Sequence, residues 1–149
     1  MRAAEELEGR IRATIPLAEA MQFHIEALDA EAIEVSAPLP PNVNIHGTGF
    51  AGSIYSVAVL TGWALCTHIL ESAGAAADLV VARAEIKYRA PVTGTLKSAT
   101  RAPAADRDAF LEDLAASGKG VLKLEIPVGD GPSAVLSATY CAIASQKDV

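Results

Sequence analysis

The chain has few of the residues that build metal sites and disulfide frameworks. Of its 149 residues, two are cysteines and three are histidines, and no Cys-x-x-Cys or Cys–His ligand spacing occurs. Cys66 and Cys141 are therefore predicted to be reduced, buried thiols of a cytoplasmic protein, and no metal site is expected. The first residues, Met1 to Glu6, also lack the basic-then-apolar order of a secretory signal.

Positive charge is scarce, because 12 lysines and arginines stand against 18 aspartates and glutamates, which gives a net charge of −6. That balance argues against a nucleic-acid-binding protein. Hydrophobic residues make up 51% of the chain and charged residues only 20%, a composition that excludes extensive disorder. No linker or low-complexity segment divides the sequence, so residues 1–149 are expected to form a single domain.

A further absence is local, since no Asp, Glu, Lys or Arg occurs between Gly47 and Leu70. The run is long enough to span a membrane, but glycine, serine, threonine and histidine dilute it and no basic cluster flanks it. A helix that is apolar on all sides lies either in a membrane or at the centre of a protein. The strands predicted after it have apolar faces that must pack against another element. We therefore predict a buried central helix and no membrane span.

The rest of the sequence predicts an antiparallel sheet. Apolar and polar residues alternate in several segments that end at prolines or turn residues. In the long strand after the central helix, Val80, Ala82, Ala84, Ile86 and Tyr88 are expected to face one side. Helices gathered on one face of such a sheet give an α+β fold. The predicted elements are a helix over 2–15, strands over 21–27 and 33–39, the central helix from about Phe50, strands over 78–90 and 96–102, a helix capped by Asp106 and ended by Gly118, and strands over 122–128 and 134–144.

Two stretches carry a resemblance to a known superfamily. The loop Asn44–Ser53 and the stretch Tyr88–Gly94, together with the element order, resemble the hot-dog acyl-CoA thioesterases. The run from Ala37 to Trp63 is most similar to the YiiD C-terminal-domain family. The resemblance implies a hot-dog fold, in which about five to six strands wrap around the central helix. It also implies an acyl-CoA or acyl-carrier-protein thioester as substrate, with coenzyme A present only as part of that substrate and no other cofactor.

The start of the central helix offers a physical basis for such chemistry. Backbone N–H groups of a first helical turn lack intrahelical partners and carry the positive end of the helix dipole. They would therefore stabilise the oxyanion that forms when a thioester carbonyl is attacked. If the helix begins near Phe50, the donors are the N–H groups of Ala51, Gly52 or Ser53. No Gly-x-Ser-x-Gly motif is present, so direct attack by water is expected rather than a serine acyl-enzyme.

The preceding loop supplies the other candidate residues. By the resemblance, Asn44 falls on an asparagine that helps hold the carbonyl or the attacking water. Histidine is the side chain that most often serves as a general base in catalysis, so His46 is a candidate for that role. The predicted catalytic residues are Asn44, His46, Gly52 and Ser53. The predicted substrate-binding residues are Asn42, Gly47, Thr48, Phe50, Ala51, Tyr55, Tyr88 and Arg89.

Other interpretations of these residues stay open. Related thioesterases carry an aspartate along the central helix, and this sequence has Val59 or Tyr55 there, depending on the alignment register. A non-catalytic acyl-thioester-binding module is therefore an alternative, and a dehydratase or hydratase is a third. Asn42 and Asn44 are also common loop-shaping residues, and a single loop histidine such as His46 is more often structural.

The predicted long strand over 78–90 bears on the oligomeric state. It would leave an exposed sheet edge, which native proteins rarely tolerate. In hot-dog proteins this strand generally pairs with its two-fold mate, and the resemblance implies the same here. We therefore expect a homodimer or a dimer of dimers with two sites at the interface.

Overall fold

The computed structural model describes residues 2–145, which form four α-helices and six β-strands. In chain order the elements are α1 (Arg2–Thr14), α2 (Pro16–Met21), β1 (His24–Leu28), β2 (Ala32–Ala37), a 3₁₀ turn (Pro40–Asn42), α3 (Ala51–Ser72), β3 (Ala77–Tyr88), β4 (Leu96–Arg101), α4 (Ala104–Ser117), β5 (Lys119–Val128) and β6 (Ala134–Ala144).

The six strands form one antiparallel sheet in the order β1–β2–β4–β5–β6–β3. β2 and β4 pair from Ala32 opposite Arg101 to Ala37 opposite Leu96, although α3 and β3 lie between them in the chain. α3 contacts every strand except β1 at several positions, so the sheet curves around this helix. The predicted α+β arrangement of a long helix wrapped by a sheet is confirmed.

The apolar run of the sequence is the core helix α3. By length and composition α3 is apolar enough to cross a membrane, but 67% of its most apolar 18-residue window is buried inside the protein. Gly62 leaves no room for a Cβ beside the Tyr140 ring, and the Tyr140 hydroxyl donates to the Val59 carbonyl oxygen at 2.7 Å. Burial raises the pKa of Tyr140, so its hydroxyl remains a proton donor to the helix.

The predicted first strand was wrong at its start. Met21 lies at the end of α2, and Gln22 ends that helix with a left-handed backbone (φ 57°) before β1 begins at His24. Pro16 occupies the start of α2, where its fixed φ suits a helix and its missing N–H costs nothing. The alternation from Met21 to Ala27 thus combined a helix end with a strand.

β3 departs from the predicted strict alternation. Its pairing with β6 shifts between Val81 and Arg83, so Ala82 is the extra residue of a β-bulge. Val80, which was predicted to face inward, is 49% exposed, because the bulge reverses the side to which the alternating side chains point. The side chains that pack against the core are Ala77 and Leu79 before the bulge and Ala84 and Ile86 after it.

α4 confirms one predicted boundary and corrects the other. The helix begins after Pro103, and Asp106 lies within its first turn without capping it. An acidic side chain at that position still suits the helix dipole. At the other end, Gly118 has a left-handed φ of 80° and ends the helix as predicted.

Candidate active site at the start of the central helix

The first turn of α3 presents backbone N–H groups that no side chain caps. The Phe50 N–H donates to the Asn42 carbonyl oxygen at 2.8 Å, and the Ile54 N–H donates to the Phe50 carbonyl oxygen at 2.9 Å. Within residues 2–145, the amide groups without an acceptor in this turn are those of Ala51, Gly52 and Ser53. A helix start of this kind binds anions and polarises carbonyl groups.

The Phe50 ring lies over Gly52. A Cβ added at Gly52 would lie 2.5 Å from Cε2 of Phe50, which is closer than carbon atoms approach. The missing side chain therefore lets the ring fold across the first turn of α3. Phe50, Val43 and Ile45 are all exposed, so apolar surface lies in the segment that leads to the unpaired N–H groups. Donors beside apolar surface suit a ligand with one carbonyl group and an apolar chain.

Asn44 shapes the loop before α3. Its Oδ1 accepts hydrogen bonds from the N–H groups of His46 at 2.8 Å and Thr48 at 3.1 Å. Its Nδ2 donates to Thr48 Oγ1 at 2.9 Å and to the Gly49 carbonyl oxygen at 3.3 Å. Gly47 supplies the left-handed φ of 81° in this turn. These contacts support the loop-shaping interpretation of Asn44, and its catalytic role stays a prediction.

Asn42 is buried and ties the same loop to α2. Its Nδ2 donates to the carbonyl oxygens of Met21 at 3.0 Å and Pro38 at 2.8 Å. Its Oδ1 is buried and has no hydrogen-bond partner among the described residues. Because the Asn42 carbonyl oxygen also accepts the Phe50 N–H, Asn42 positions the residue that precedes α3. Its predicted contact with substrate is untested.

Tyr88 fixes the end of β3 against the start of α3. Its hydroxyl donates to the Ala51 carbonyl oxygen at 2.9 Å. Desolvation, with a smaller contribution from the nearby Tyr55, raises the pKa of Tyr88, so the hydroxyl is protonated at neutral pH. Tyr55 is half-buried on α3. The structure therefore brings two of the predicted substrate-binding residues, Tyr88 and Ala51, into direct contact.

The remaining predicted residues lie around this turn. Ser53 is half-buried on the first turn of α3, and Thr48 is half-buried in the loop. His46 is exposed in the loop, and its side chain makes no hydrogen bond to the described part of the chain. Arg89 follows β3, where its N–H donates to the Ser133 carbonyl oxygen at 2.8 Å, and its side chain is exposed.

One contributor was missed by sequence reasoning. The Val92 carbonyl oxygen accepts the Gly49 N–H at 2.7 Å, and Val92 is buried. A Cβ at Gly49 would lie 3.1 Å from the Val92 Cβ, so the segment after β3 packs closely against the loop. The signal was present, because Val92 lies within the stretch Tyr88–Gly94 that resembles the superfamily.

A cavity of about 560 Å³ lies beside the second half of α3. Trp63, Leu70 and Leu79 give it an apolar lining, and Arg10 and Glu71 border it. Two hydrogen bonds of 2.7 and 2.6 Å join the Arg10 guanidinium to the Glu71 carboxylate. Trp63 of α3 is half-buried and lines this cavity.

Formal charge is sparse at the helix start. From Asn42 to Leu70 the sequence contains no Asp, Glu, Lys or Arg, so the field in this segment comes from the helix dipole and the oriented amide groups. Among the described residues, no group of three or more His, Cys, Asp or Glu side chains is arranged to hold a metal ion. The arrangement provides hydrogen-bond donors, two phenols and a histidine.

Comparisons with known proteins agree with this geometry. Residues 4–143 match the family described as "Putative thioesterase (yiiD_Cterm)". A putative thioesterase from Shewanella oneidensis superposes with a TM-score of 0.87 at 35% identity, over 95% of this chain and 98% of that one. A protein of unknown function from Chlorobaculum tepidum gives a TM-score of 0.90 at 26% identity, over 95% and 94%. A thioesterase from Haemophilus influenzae gives 0.74 at 14% identity, over 97% and 93%, and shows the fold alone.

The fold that the structure and these comparisons define is the hot-dog fold, here with an uncapped helix start at its centre. The chain belongs to the family described as "Putative thioesterase (yiiD_Cterm)". The resemblance inferred from the loop and from the stretch after β3 is therefore confirmed over nearly the whole chain.

Proposed function

We propose that the protein hydrolyses acyl thioesters of coenzyme A or of an acyl-carrier protein. The thioester carbonyl oxygen binds the N–H groups of Ala51, Gly52 and Ser53, which stabilise the oxyanion formed when water attacks the carbonyl carbon. The tetrahedral intermediate then loses the thiolate, which takes a proton. The products are a carboxylic acid and a free thiol.

The observation that carries this proposal is the uncapped start of α3. Three consecutive amide groups lack acceptors among the described residues, and unsatisfied backbone donors of this kind are costly unless water or a ligand meets them. Membership of a family described as "Putative thioesterase (yiiD_Cterm)" supports the carbonyl oxygen of a thioester as the ligand that these groups bind.

The side chains near the helix start have proposed supporting roles. Ser53 has a hydroxyl without a partner among the described residues and donates to the carbonyl oxygen or the sulfur. His46 acts as the general base on water, while Asn44 and Thr48 hold the loop. Arg89, exposed after β3, meets the phosphates of the coenzyme or the acidic surface of a carrier protein.

A non-catalytic thioester-binding module is the second candidate. Its support is the absence of any carboxylate from Asn42 to Leu70, because hydrolysis of this type generally uses a carboxylate or histidine to activate water. The same N–H groups would then hold the carbonyl without promoting attack, and binding would be measurable without turnover.

The oligomeric state and the location of the protein are also part of the proposal. β3 lies at one edge of the sheet, and a second copy that pairs there would give a homodimer, or a dimer of dimers through further contacts. Cys66 and Cys141 are free and buried, and burial raises the pKa of Cys66. Unpaired thiols of this kind are typical of the reducing cytoplasm, where we place the protein.

A thiol-release assay with purified protein and acyl-CoAs from acetyl to palmitoyl tests the proposal. We expect release above the buffer rate with at least one acyl group, reduced in Ser53→Ala and in His46→Ala. Isothermal titration with a non-hydrolysable acyl-CoA thioether separates the two candidates. Binding without release would support the binding module, and neither binding nor release with any thioester would contradict both.

A further inference from the structure

We propose that Tyr140 is a positioning residue that sets the acyl-chain preference of the protein. Its hydroxyl holds the middle turn of α3 so that Trp63 forms one wall of the cavity beside the second half of that helix. The assignment of the acyl chain to this cavity rests on the proposed function. The contact between Tyr140 and α3, and its effect on Trp63, do not depend on any reaction.

The Tyr140 hydroxyl lies at a hydrogen bond of the central helix. In an α-helix the carbonyl group of residue 59 accepts a hydrogen bond from the N–H group of residue 63, four positions further on. The Tyr140 hydroxyl donates to the Val59 carbonyl oxygen at 2.7 Å, and the Trp63 N–H group also interacts with that hydroxyl. Tyr140 of β6 therefore contacts both partners of one helical hydrogen bond. Side chains that enter this hydrogen-bond ladder change the local course of a helix.

Gly62 makes this close approach possible. A Cβ added there would lie 2.5 Å from Cζ of Tyr140 and 2.7 Å from Cδ1 of Ile126, so a side chain at this position would push the sheet away from the helix. Glycine within a helix lowers the stability of that helix, yet Gly62 lies in the interior of α3 and is buried. Its missing side chain keeps the Tyr140 hydroxyl on the helix backbone.

The hydroxyl is not needed to fill the core or to satisfy the Val59 carbonyl group. Tyr140 is fully buried, and a phenylalanine would fill the same apolar space without a polar atom that requires a partner. An ordinary helical hydrogen bond from Trp63 would satisfy Val59 by itself. The hydroxyl adds an attachment between the sheet and one turn of α3, and this attachment fixes the depth and rotation of that turn.

Trp63 connects this attachment with the cavity. It follows Gly62 directly, and its half-buried side chain packs against the core. Together with Leu70 and Leu79 it lines the cavity of about 560 Å³. The indole is the largest side chain in that lining, so a shift of the turn that carries Trp63 changes the width of the cavity.

The length of the acyl chain decides how much this wall matters. An acetyl group has too little apolar surface to fill a cavity of this volume. A longer chain gains binding energy with each methylene group that it buries, and much of this gain is lost when a gap opens between the chain and the wall. We therefore expect Tyr140 to control the KM for long-chain thioesters and to leave the turnover of acetyl thioesters unchanged.

Fluorescence of Trp63 tests the structural step. Trp63 is the only tryptophan of the chain, so its emission reports on this wall alone. Tyr140→Phe keeps the ring and removes the hydroxyl. We expect it to shift the emission maximum of the folded protein and to raise the quenching of that emission by acrylamide, because the turn is no longer held against the sheet.

Thr61→Val is the matched control. Thr61 is buried in the same segment, and its Oγ1 donates to the Val57 carbonyl oxygen at 2.6 Å. This bond also joins a hydroxyl to a carbonyl group of α3, but it lies within the helix and does not attach the helix to the sheet. The emission maximum and the quenching of Trp63 in Thr61→Val should therefore match wild type, whatever the change in stability.

The second measurement is the dependence of kcat and KM on chain length, from acetyl-CoA to palmitoyl-CoA. We expect Tyr140→Phe to raise the KM for the longest chain that the wild type hydrolyses about fivefold, the loss that corresponds to one typical hydrogen bond. Both constants for the shortest chain stay at their wild-type values. Thr61→Val should keep the wild-type profile.

Binding without turnover is measured on the wild type itself. A dodecyl-CoA thioether should change the Trp63 emission on binding, whereas coenzyme A alone should not, because only the thioether carries a chain that reaches the cavity. Isothermal titration of the same thioether into Tyr140→Phe should show the weaker binding that the KM indicates.

Unchanged Trp63 emission in Tyr140→Phe, or a loss of activity that is equal for every chain length, would overturn the proposal. A Trp63 emission that does not respond to the bound thioether would also overturn it. A wild-type protein that neither binds nor hydrolyses any thioester would contradict the proposed function, and that result is visible without any variant. An active wild type whose chain-length profile is unchanged in Tyr140→Phe would overturn only the role of Tyr140.

Discussion

At the scale of single residues, Gly52 controls the shape of the α3 start. Replacing it with alanine sets a methyl group where the Phe50 ring now lies, so the ring is displaced across the unpaired N–H groups. We expect Gly52→Ala to lower kcat for thioester hydrolysis about tenfold or more. Complete removal of one oxyanion-hole donor typically lowers kcat by more than this. The thiol-release assay measures this effect.

Gly94→Ala is the control for that substitution. Gly94 has nothing within 4 Å of an added Cβ, so kcat and thermal stability should both match wild type. If Gly52→Ala hydrolyses thioesters at the wild-type rate while remaining folded by circular dichroism, the helix start is not the reacting site.

Replacement of Asn42 is expected to lower the stability of the fold, in contrast to the effect on kcat expected at Gly52. Asn42→Ala removes the donor from two carbonyl oxygens, those of Met21 and Pro38, and leaves them in a buried region. The expected loss is about 2 kcal/mol of unfolding free energy, from the typical cost of unsatisfied buried polar groups. Urea denaturation measures it. Asn44→Ala is the comparison and should cost less, since Asn44 is only half-buried and water replaces its contacts.

The two asparagines show how far a sequence defines this site. The helix start was predictable because the charge-free run identifies a central helix and a first turn always has unpaired N–H groups. The separate roles of Asn42 and Asn44 were not, since they are the same residue type in one loop. The buried Asn42 side chain donates a hydrogen bond to the Met21 carbonyl oxygen. Met21 is the last residue of α2, whereas the alternation of apolar and polar residues had predicted a strand there.

At the scale of elements, Arg10 and Glu71 join α1 to the end of α3 through two hydrogen bonds. Hydrogen bonding to Arg10 is the main cause that lowers the pKa of Glu71 from its ordinary value of 4.5. A lowered carboxyl pKa stabilises the fold above the ordinary value, and this contribution is lost as the pH falls through the lowered pKa. Arg10→Gln should therefore lower the Tm at pH 7, and the difference from wild type should vanish in acid.

Thermal melts of both proteins from pH 7 to pH 3 measure this difference. Arg2→Gln is the control, because the Arg2–Glu6 pair is highly exposed within one helix and pairs of that kind contribute little. A difference between wild type and Arg10→Gln that stays constant with pH would show that the ion pair is not its source.

The elements differed in how well the sequence predicted them. α3 was predicted correctly because its lack of charge leaves few alternatives to a core position. The bulge in β3 was not, because apolar residues stand at both Val80 and Val81, so a strict alternation fits the sequence before and after the reversal. Side-chain pattern shows the period of a strand, whereas a bulge is visible only in its pairing with a neighbour.

At the scale of the whole molecule, two impaired variants should restore each other's activity if the proposed homodimer forms each site from both copies. Gly52→Ala damages the helix start, and Thr67→Trp fills the cavity beside the second half of α3, which takes the acyl chain in such a site. In a mixed dimer one site carries both changes and the other carries neither. Equal amounts refolded together contain about half mixed dimers, so about a quarter of the wild-type activity is expected if each site spans both copies.

The rate of thiol release by the refolded mixture, compared with each variant refolded alone, measures this restoration. If helix start and cavity serve the same copy, every chain in the mixture carries one defect. The activity would then stay at the mean of the two parent proteins, which would contradict a site shared between copies.

The pairing of β2 with β4 also bears on how the chain folds. Ala37 and Leu96 are neighbours in the sheet, and the chain between them includes the whole of α3. Closing so long a segment in a disordered state costs more conformational entropy than closing it once α3 is helical and compact. We therefore expect the central helix to form before, or together with, the joining of these two strands. Substitutions in α3 that weaken helix formation should then slow refolding, apart from any effect that they have at the site.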